Sequence, residues 1–488
     1  MTLSTQNEVM KEPGTPDYSR KWVVMTAVGM GIFLSTIDGS IVNIALPTFV
    51  KDFNAKFAIV QWIALAYILT MATLILSMGR LGDIIGRKPV YASGMVVFTL
   101  SSALCGLSNS VYMLIGFRVL QAIGAAMMAA LGIALITEAF PPNERGKAYG
   151  AAGSFVSIGI ITGPTLGGLL IDAFSWHWIF FVNVPIGLIG IWMVLKYVPN
   201  MKTNKGQRFD FLGAITLFIG VLSFLLALTL LQDPVYGLKS PVFLALIFVW
   251  ILFTIAFFYV ESKVQFPMID LKLFRNITFS INLMTGFITF IGTSGVVLLM
   301  PFFLENVLLR APHQVGLMLS TVPIAAGIVS PFSGAMSDKF GPQRIIILGL
   351  IIMASGYAVL TTLSQETTTF EYILKFIPIG LGIGIFQSPN NSSIMGAAPR
   401  EHLGLVSSLV SITRALGQSS GIALVGAFWT YRVSVYSQTG LAGKLHTIDS
   451  TAQVKGLQET MVGITFVIIS ALLLALYNGY LKKRTVSV

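Results

Sequence analysis

The chain has 488 residues, of which 55% are hydrophobic and 10% charged, with a formal net charge of +11. Soluble domains carry about 25% charged residues, so the composition excludes a water-soluble enzyme or scaffold and points to a polytopic membrane protein. The basic surplus is no nucleic-acid footprint, because Lys and Arg fall in short loops between apolar runs. The single cysteine, Cys105, lies inside an apolar run, which rules out an internal disulfide and any thiolate cluster. His177, His313, His402 and His446 lie in loops or at span ends, no phosphate-binding G-x-x-x-x-G-K-[ST] loop occurs, and no nucleophile sits with a base. No catalytic centre, resident metal or cofactor is therefore expected.

Apolar runs of about 20 residues or more occur at 22–49, 58–79, 89–108, 111–139, 147–171, 178–198, 211–231, 240–260, 278–304, 313–336, 345–364, 371–396, 403–430 and 457–481. They predict an all-α membrane protein of fourteen spans; runs of this length without short alternation exclude a β-barrel. Residues 1–21 are polar, and the run after them lacks a cleavage site, so the first span is read as uncleaved. With the N-terminus inside, 21 of the 31 Lys and Arg fall in inner segments and 7 in outer loops. The positive-inside rule then puts both termini in the cytoplasm of a cell or inner membrane, with lipid as the surrounding partner.

The decapeptide GRLGDIIGRK, Gly79 to Lys88, returns in altered form as GAMSDKFGPQR, Gly334 to Arg344. Gly79, Asp83 and Gly86 match Gly334, Asp338 and Gly341 at a constant offset of 255 residues. The offset maps spans 1 to 3 onto spans 9 to 11 and leaves spans 7 and 8 without counterparts. The expected architecture is six plus two plus six: a cytoplasmic tail (1–21), an N-terminal bundle (22–198), linkers with two extra helices (199–277), a C-terminal bundle (278–481) and a second tail (482–488). The segment from Tyr431 to Gly456 reads as the longest outer loop, polar and flexible.

In the first of these loops Gly79 and Gly82 let helix ends approach, Gly86 permits a tight turn and Asp83 can cap a helix N-terminus, while Arg87 and Lys88 anchor the inner face. A loop that merely obeys topology explains the two basic residues but not an aspartate between glycines, and its repetition at Asp338 favours a specific latch. Asp38, in LSTIDGSIVNIALP, is the one carboxylate well inside a span. A charge there costs about 2.5 to 3.5 kcal/mol on insertion scales, so it is read either as a working group facing a cavity or as half of a structural ion pair. Arg118, in the fourth span, lies roughly 10 Å below the outer end at 1.5 Å per residue and shares that zone. Opposite charge favours a carboxylate's ionised form, so an arginine that comes and goes can gate a proton site; packing glue is the alternative. Arg414, in span 13, is left open between a contact to an anionic substrate group and a structural role. Gly150, Gly159, Gly163, Pro164, Gly167 and Gly168 line the fifth span, with three glycines four apart on one face, as close helix packing requires. Glu138 and Glu305 read as solvated span ends, and WHWIFFVNVP (176–185) as an interfacial aromatic belt.

With these motifs in view, the chain resembles the fourteen-spanner drug:proton antiporters of the major facilitator superfamily, the EmrB/QacA type, over nearly its whole length. GRLGDIIGRK is similar to that family's loop between spans 2 and 3. Asp38, Ser40, Asn43, Ala45 and Pro47 match its first-span signature with serine for threonine, and Arg118, Gln121 and Gly124 match its fourth-span motif. The Gly150-to-Gly168 spacing matches its antiporter motif in full, and Gln61 with Trp62 and WIFFVNVPIG are further family-like marks. The second loop departs, with Pro342 and Gln343 in place of Arg87 and Lys88. The resemblance implies that Asp38 alternates between protonated and substrate-engaged forms with Arg118 assisting. It implies that the span 5 glycine face lets the halves rock around a central cavity, and that Asp83 and Arg87 close the cytoplasmic side. The expected function is proton-coupled export of small amphipathic compounds, cationic or neutral; the alternative is a proton-coupled importer or exporter of one metabolite or weak acid. Its partners are then a small-molecule substrate and protons. No motif specifies an accessory export protein.

Overall fold

The computed structural model describes residues 18–55, 57–60, 62–200, 209–231, 240–264, 267, 269, 271–310, 312–399, 402–437 and 450–486. Gln61 and His446 fall outside them. The first bundle comprises α1 (Lys21–Asp52), α2 (Phe57–Val60), α3 (Trp62–Ile85), α4 (Arg87–Gly106), α5 (Val111–Ala139), α6 (Arg145–Ala173), α7 (Trp178–Phe181) and α8 (Asn183–Tyr197). Next come α9 (Phe211–Leu231) and α10 (Pro241–Lys263), which lie against each other. The second bundle comprises α11 (Ile277–Phe302), α12 (Pro312–Leu319), α13 (Thr321–Phe340), α14 (Pro342–Leu360), α15 (Thr369–Gly396), α16 (Leu403–Tyr436) and α17 (Ser450–Val486).

Among the described residues thirteen helices are long and apolar enough to cross a membrane, one fewer than the sequence expectation. The missing one is α16, which has the length but carries Ser407, Ser408, Ser411, Arg414 and Gln418. The ends of α5 and α9 coincide with the apolar runs, whereas other boundaries shift. The run at 178–198 is broken at Val182 because Pro185 has no amide to offer the Phe181 carbonyl, and the run at 313–336 is broken at Ser320 because Pro323 cannot bond Leu319. The expected outer loop from Tyr431 to Gly456 is mostly helix where it is described: α16 continues to Tyr436 and α17 starts at Ser450. Likewise α17 runs through Val486, into the stretch expected to be a tail. Hydropathy finds the apolar stretch of a helix, not the polar turns that extend it.

Duplication is visible in the packing. Gly94 on α4 sits against the Gly124 carbonyl of α5, and Gly349 on α14 sits against the Gly382 carbonyl of α15 in the same way. The two bundles meet chiefly through α6 with α13 and α3 with α16. One apolar core continues across that seam, joining Leu131 and Leu135 of α5 to Leu405 and Leu409 of α16. Helix α9 leans on both bundles, with Leu225 and Leu228 packed among Leu69 and Ala72 of α3 and Ala423 of α16. Most of α10 is exposed, as expected of a helix with lipid around it.

Candidate functional site

Two constellations deserve separate description, one deep in the first bundle and one at the basic face that carries Arg87. In the first, Asp38 on α1 is fully buried and faces Arg118 on α5, whose Nη1 donates to Asp38 Oδ2 at 2.5 Å. Gln121, one turn along α5, donates to Asp38 Oδ1 at 2.9 Å and accepts from Arg118 Nη1 at 2.7 Å. Asn183, at the start of α8, donates to the same Oδ1 at 3.3 Å and to Ser102 Oγ at 3.1 Å. Arg118 Nε donates to the Ile63 carbonyl at 3.1 Å, and the Tyr67 ring lies 4.0 Å from the guanidinium carbon. Five helices, α1, α3, α4, α5 and α8, thus contribute to the network around one carboxylate. A buried charge pair is tolerable when its remaining lone pairs and protons are bonded, as most are here. Two polar atoms in the cluster, Tyr67 Oη and Asn183 Oδ1, are buried without a hydrogen-bond partner; each lost bond of this kind costs about 1 to 3 kcal/mol.

Asp38 is sealed, yet its neighbours are not. Gly39 and Asn43, one turn apart on α1, are exposed; among the described residues nothing comes within van der Waals contact of a methyl added at Gly39, and Asn43 Nδ2 bonds the Gly39 carbonyl alone, at 3.2 Å. A polar, open wall therefore begins one residue from the carboxylate. The sequence singled out Asp38 and Arg118; it passed over Asn183 and Tyr67, and noted Gln121 only as a motif position. Asn183 lies in the aromatic segment read as an interfacial belt. Trp178 fits that reading at 47% exposed, but Trp176 and Phe180 are buried in the bundle.

At the basic face the two motif aspartates, placed in the last turns of α3 and α13 rather than in the expected loop, do the same thing in opposite directions. Asp83 accepts from the Gly404 and Leu405 amides at 3.0 and 2.9 Å, capping the first turn of α16 in the second bundle. Asp338 accepts from the Gly146 and Lys147 amides at 2.9 and 3.0 Å, capping the first turn of α6 in the first bundle. Free amides and the positive end of the helix dipole make each N-terminus a natural seat for a carboxylate. The aspartate was legible as a cap; the helix it caps, in the other bundle, was not. Gly86 and Gly341 follow at φ of 122° and 82°, a region that favours glycine, so the turn after each aspartate is made the same way.

Small residues let this seam close. A methyl on Gly334 would overlap the Gly146 carbonyl, and one on Gly79 would overlap Ser408. Ser154 donates to the Gly327 carbonyl at 2.8 Å, Ser388 to Gly146 at 2.8 Å and Ser411 to Ala129 at 3.0 Å. Arg87 bonds Asp83 at 2.6 Å and also pairs with Glu138, which is 12% exposed at its side chain. Glu138 is thus a largely buried partner of Arg87 rather than a solvated span end. Lys88 donates to the Leu195 carbonyl, Gly82 receives Leu131, and Glu305 is exposed as expected.

The glycines of α6 divide between two partners. Gly159, Gly163 and Gly167 form one face against Thr36, Ser40 and Ile41 of α1, inside the same bundle, and Ser40 Oγ donates to the Gly159 carbonyl at 3.2 Å. Gly150 instead meets the Ser330 carbonyl of α13 in the other bundle. Gly168 meets nothing, and Pro164 lies within α6. Only the early part of the motif touches the seam. Arg414 on α16 is half-buried over the Phe290 ring, 5.6 Å from its centroid.

Comparison with known proteins agrees with this architecture. The riboflavin transporter RibZ of Clostridioides difficile is 32% identical over 420 residues, 86% of this chain and 90% of that protein. The multidrug transporter protein MdtP of Bacillus subtilis is 31% identical over 447 residues, 91% of this chain and 82% of its own length. The multidrug resistance protein Stp of Mycobacterium tuberculosis is 32% identical over 406 residues, 83% and 75% of the respective chains. In fold, the crystal structure of the human organic anion transporter MFSD10 superposes with a TM-score of 0.65 at 13% identity, covering 92% of this chain and 99% of that one. The Major Facilitator Superfamily profile matches residues 28–281 and 282–443. The chain is a multi-pass membrane transporter that belongs to the Major Facilitator Superfamily.

Proposed function

We propose that the protein is a proton-driven antiporter of the fourteen-spanner drug:proton type, with α16 as the fourteenth span and six helices on either side of the α9 and α10 pair. It exports small amphipathic compounds from the cytoplasm by alternating access. Both termini are cytoplasmic, so the face closed by Asp83 and Asp338 is the inner one, and the conformation is sealed towards the cell. The carrying observation is Asp38: a carboxylate deep in the bundle, bonded by Arg118, Gln121 and Asn183, one residue from the open wall at Gly39 and Asn43. The names of MdtP and Stp support export of drugs as the task.

In this reading a proton reaches Asp38 along the Asn43 wall, and its arrival loosens the Arg118 and Gln121 bonds. Because α1 and α6 are packed together through Gly159 and Gly163, a shift of α1 is passed to α6, whose first turn Asp338 holds. Release of the two caps opens the inner face, where substrate enters and the proton leaves. One proton moving through 100 mV supplies about 2.3 kcal/mol, and each pH unit about 1.4 kcal/mol, so one titrating carboxylate per cycle is enough.

The test is proton release from purified protein challenged with a panel of drug-like compounds. Wild type is expected to release protons on binding, and Asp38→Asn to bind without release; parental release by Asp38→Asn defeats the coupling assignment. In inverted vesicles, acidifying the lumen is expected to drive substrate accumulation, and its absence would turn the reading to import.

A further inference from the structure

The two arginines inside the bundles are in opposite electrostatic situations. Arg118 has Asp38, Gln121, a backbone carbonyl and the Tyr67 ring. Arg414 has, among the described residues, neither carboxylate nor hydrogen-bond acceptor, only the Phe290 ring. Eleven residues from the start of α16, it lies about 16 Å along the helix at 1.5 Å per residue, too deep for its guanidinium to reach the membrane surface. Ser411, three residues before it, bonds Ala129 of α5, and Gly417, three residues after it, abuts Phe287 and Phe290 of α11. Arg414 therefore faces the gap between α5 and α11, one helix from each bundle. Gln418, one turn further along the same face, is also half-buried, and its amide has no partner among the described residues.

Other acids in the bundles are bonded or exposed. Asp38 is held by Arg118, and Asp83 and Glu138 by Arg87. Glu371 closes its own helix cap and Glu459 pairs with Arg432, while Asp172 and Glu305 are exposed. A cation that deep, with no counter-charge among the described residues, is expected to meet its counter-charge in what the cavity receives. A guanidinium and an amide one turn apart present several N–H donors to one side, which suits a carboxylate, and Phe290 offers an aromatic face to the body of the same molecule.

The geometry points to an anion-binding subsite formed by Arg414, Gln418 and Phe290, so that the transported compound is an aromatic or apolar body bearing one carboxylate. This deepens the proposed transport function and rests on it. It also departs from the cationic substrate that the sequence suggested, because Asp38, the group a cation would seek, is already neutralised. Export of such an anion against an entering proton moves two charges inward-positive per cycle, so the membrane potential drives both.

The test is equilibrium binding to the purified full chain in nanodiscs with three probes sharing one ring system: 2-naphthoate, 2-naphthamide and 2-naphthylmethylammonium. Wild type is expected to bind 2-naphthoate at least tenfold more tightly than the amide, with the ammonium weakest. Arg414→Gln is expected to erase the preference, Arg414→Lys to keep part of it, and Gln418→Ala to reduce it several-fold. Gel filtration and thermal unfolding check that each variant is folded, and Arg414→Lys keeps the test decisive if Arg414→Gln does not fold. Equal binding of carboxylate and amide by wild type, an undiminished preference in Arg414→Gln, or equal competition by chloride or inorganic phosphate overturns the subsite. Binding is measured without a proton gradient: Asp38→Asn that keeps the Arg414-dependent preference but parental proton release fails the coupling assignment alone.

Discussion

The two repeats share a helix-capping contact between bundles and differ in chemistry. Asp83 and Asp338 each bond two amides at the start of a helix in the opposite bundle, at nearly the same distances, and each is followed by a glycine with positive φ. Their surroundings are unequal. Asp83 is buried and bonded to Arg87, which in turn pairs with Glu138. Asp338 is half-buried, and no cation pairs with it among the described residues; Pro342 opens α14 where Arg87 opens α4, and Gln343 bonds Asn478 and the Ala475 carbonyl instead. Deeper in, the repeat has diverged completely: the counterpart of Asp38 is Thr293, whose hydroxyl bonds its own helix at Thr289. Duplication kept the mechanical contacts and let one half specialise in charge.

The largest effect expected from breaking this asymmetry lies at the unrepeated site. Asp38→Asn leaves Arg118 buried without its counter-charge, which costs about 3 to 5 kcal/mol where a buried pair is broken. Gradient-driven transport in proteoliposomes should disappear, while the double variant Asp38→Asn with Arg118→Gln should regain thermal stability without regaining coupling. A single variant as stable as the parent would show that the pair is not held in the protein interior.

Next come the two latches, compared with each other. Asp83→Ala removes two charge-assisted bonds and leaves Arg87 with Glu138 alone, and should shift the equilibrium towards the inward-open form by about 2 kcal/mol, roughly thirtyfold. Asp338→Ala should shift it by about 1 kcal/mol, since a partly solvated carboxylate has less to lose. Accessibility of single cysteines at positions 154 and 327 to a maleimide added from the inner side reads both shifts, and equal shifts would deny Arg87 any supporting role. A similar size is expected for Gly334→Ala, whose methyl meets the Gly146 backbone, whereas alanine at Gly168, in open space, should change little. Glu138→Gln should fall below Asp83→Ala, at about 1 kcal/mol, because Asp83 keeps its amide bonds.

The smallest effect concerns the end of the first bundle opposite Asp83. His177 stacks on Trp176, with ring centroids 3.7 Å apart, and burial lowers its pKa below the usual value, with Asp52 acting weakly against that shift. A base with a depressed folded pKa binds fewer protons folded than unfolded, so stability declines as pH falls below about 6.5, its unperturbed value. Thermal unfolding from pH 7.5 to 5 should show a shallower decline in His177→Asn than in the parent; identical slopes would remove His177 from the account.

Sequence reading worked where a residue violates its surroundings. A carboxylate or guanidinium in an apolar run stands out, so Asp38, Arg118 and Arg414 were visible at once, as was an aspartate between glycines. Asn183 and Tyr67 were not, and Gln121 was visible only as a motif position, because neutral polar groups occur singly in many spans and only the fold brings α1, α3, α5 and α8 together. Helix existence was legible from apolar length, and α5 and α9 were found to the residue. Breaks at Val182 and Ser320 escaped because hydropathy ignores the one amide a proline withholds. The glycine motif of α6 was readable as a packing face, but spacing alone cannot say that Gly159 and Gly163 serve α1 while Gly150 serves α13.

Helix α9 leans on α3 from one bundle and α16 from the other. Any relative motion of the bundles must therefore drag one of these contacts past α9. The buried contact residues, Leu69, Ala72, Leu225, Leu228 and Ala423, are all aliphatic, and the hydroxyls of Thr216, Ser223 and Thr229 bond carbonyls within α9 itself. Dispersion contacts are non-directional and re-form after a small slide, whereas hydrogen bonds would have to break. Helix α9 thus bridges α3 and α16 through non-directional contacts, which do not fix the angle at which the two helices meet.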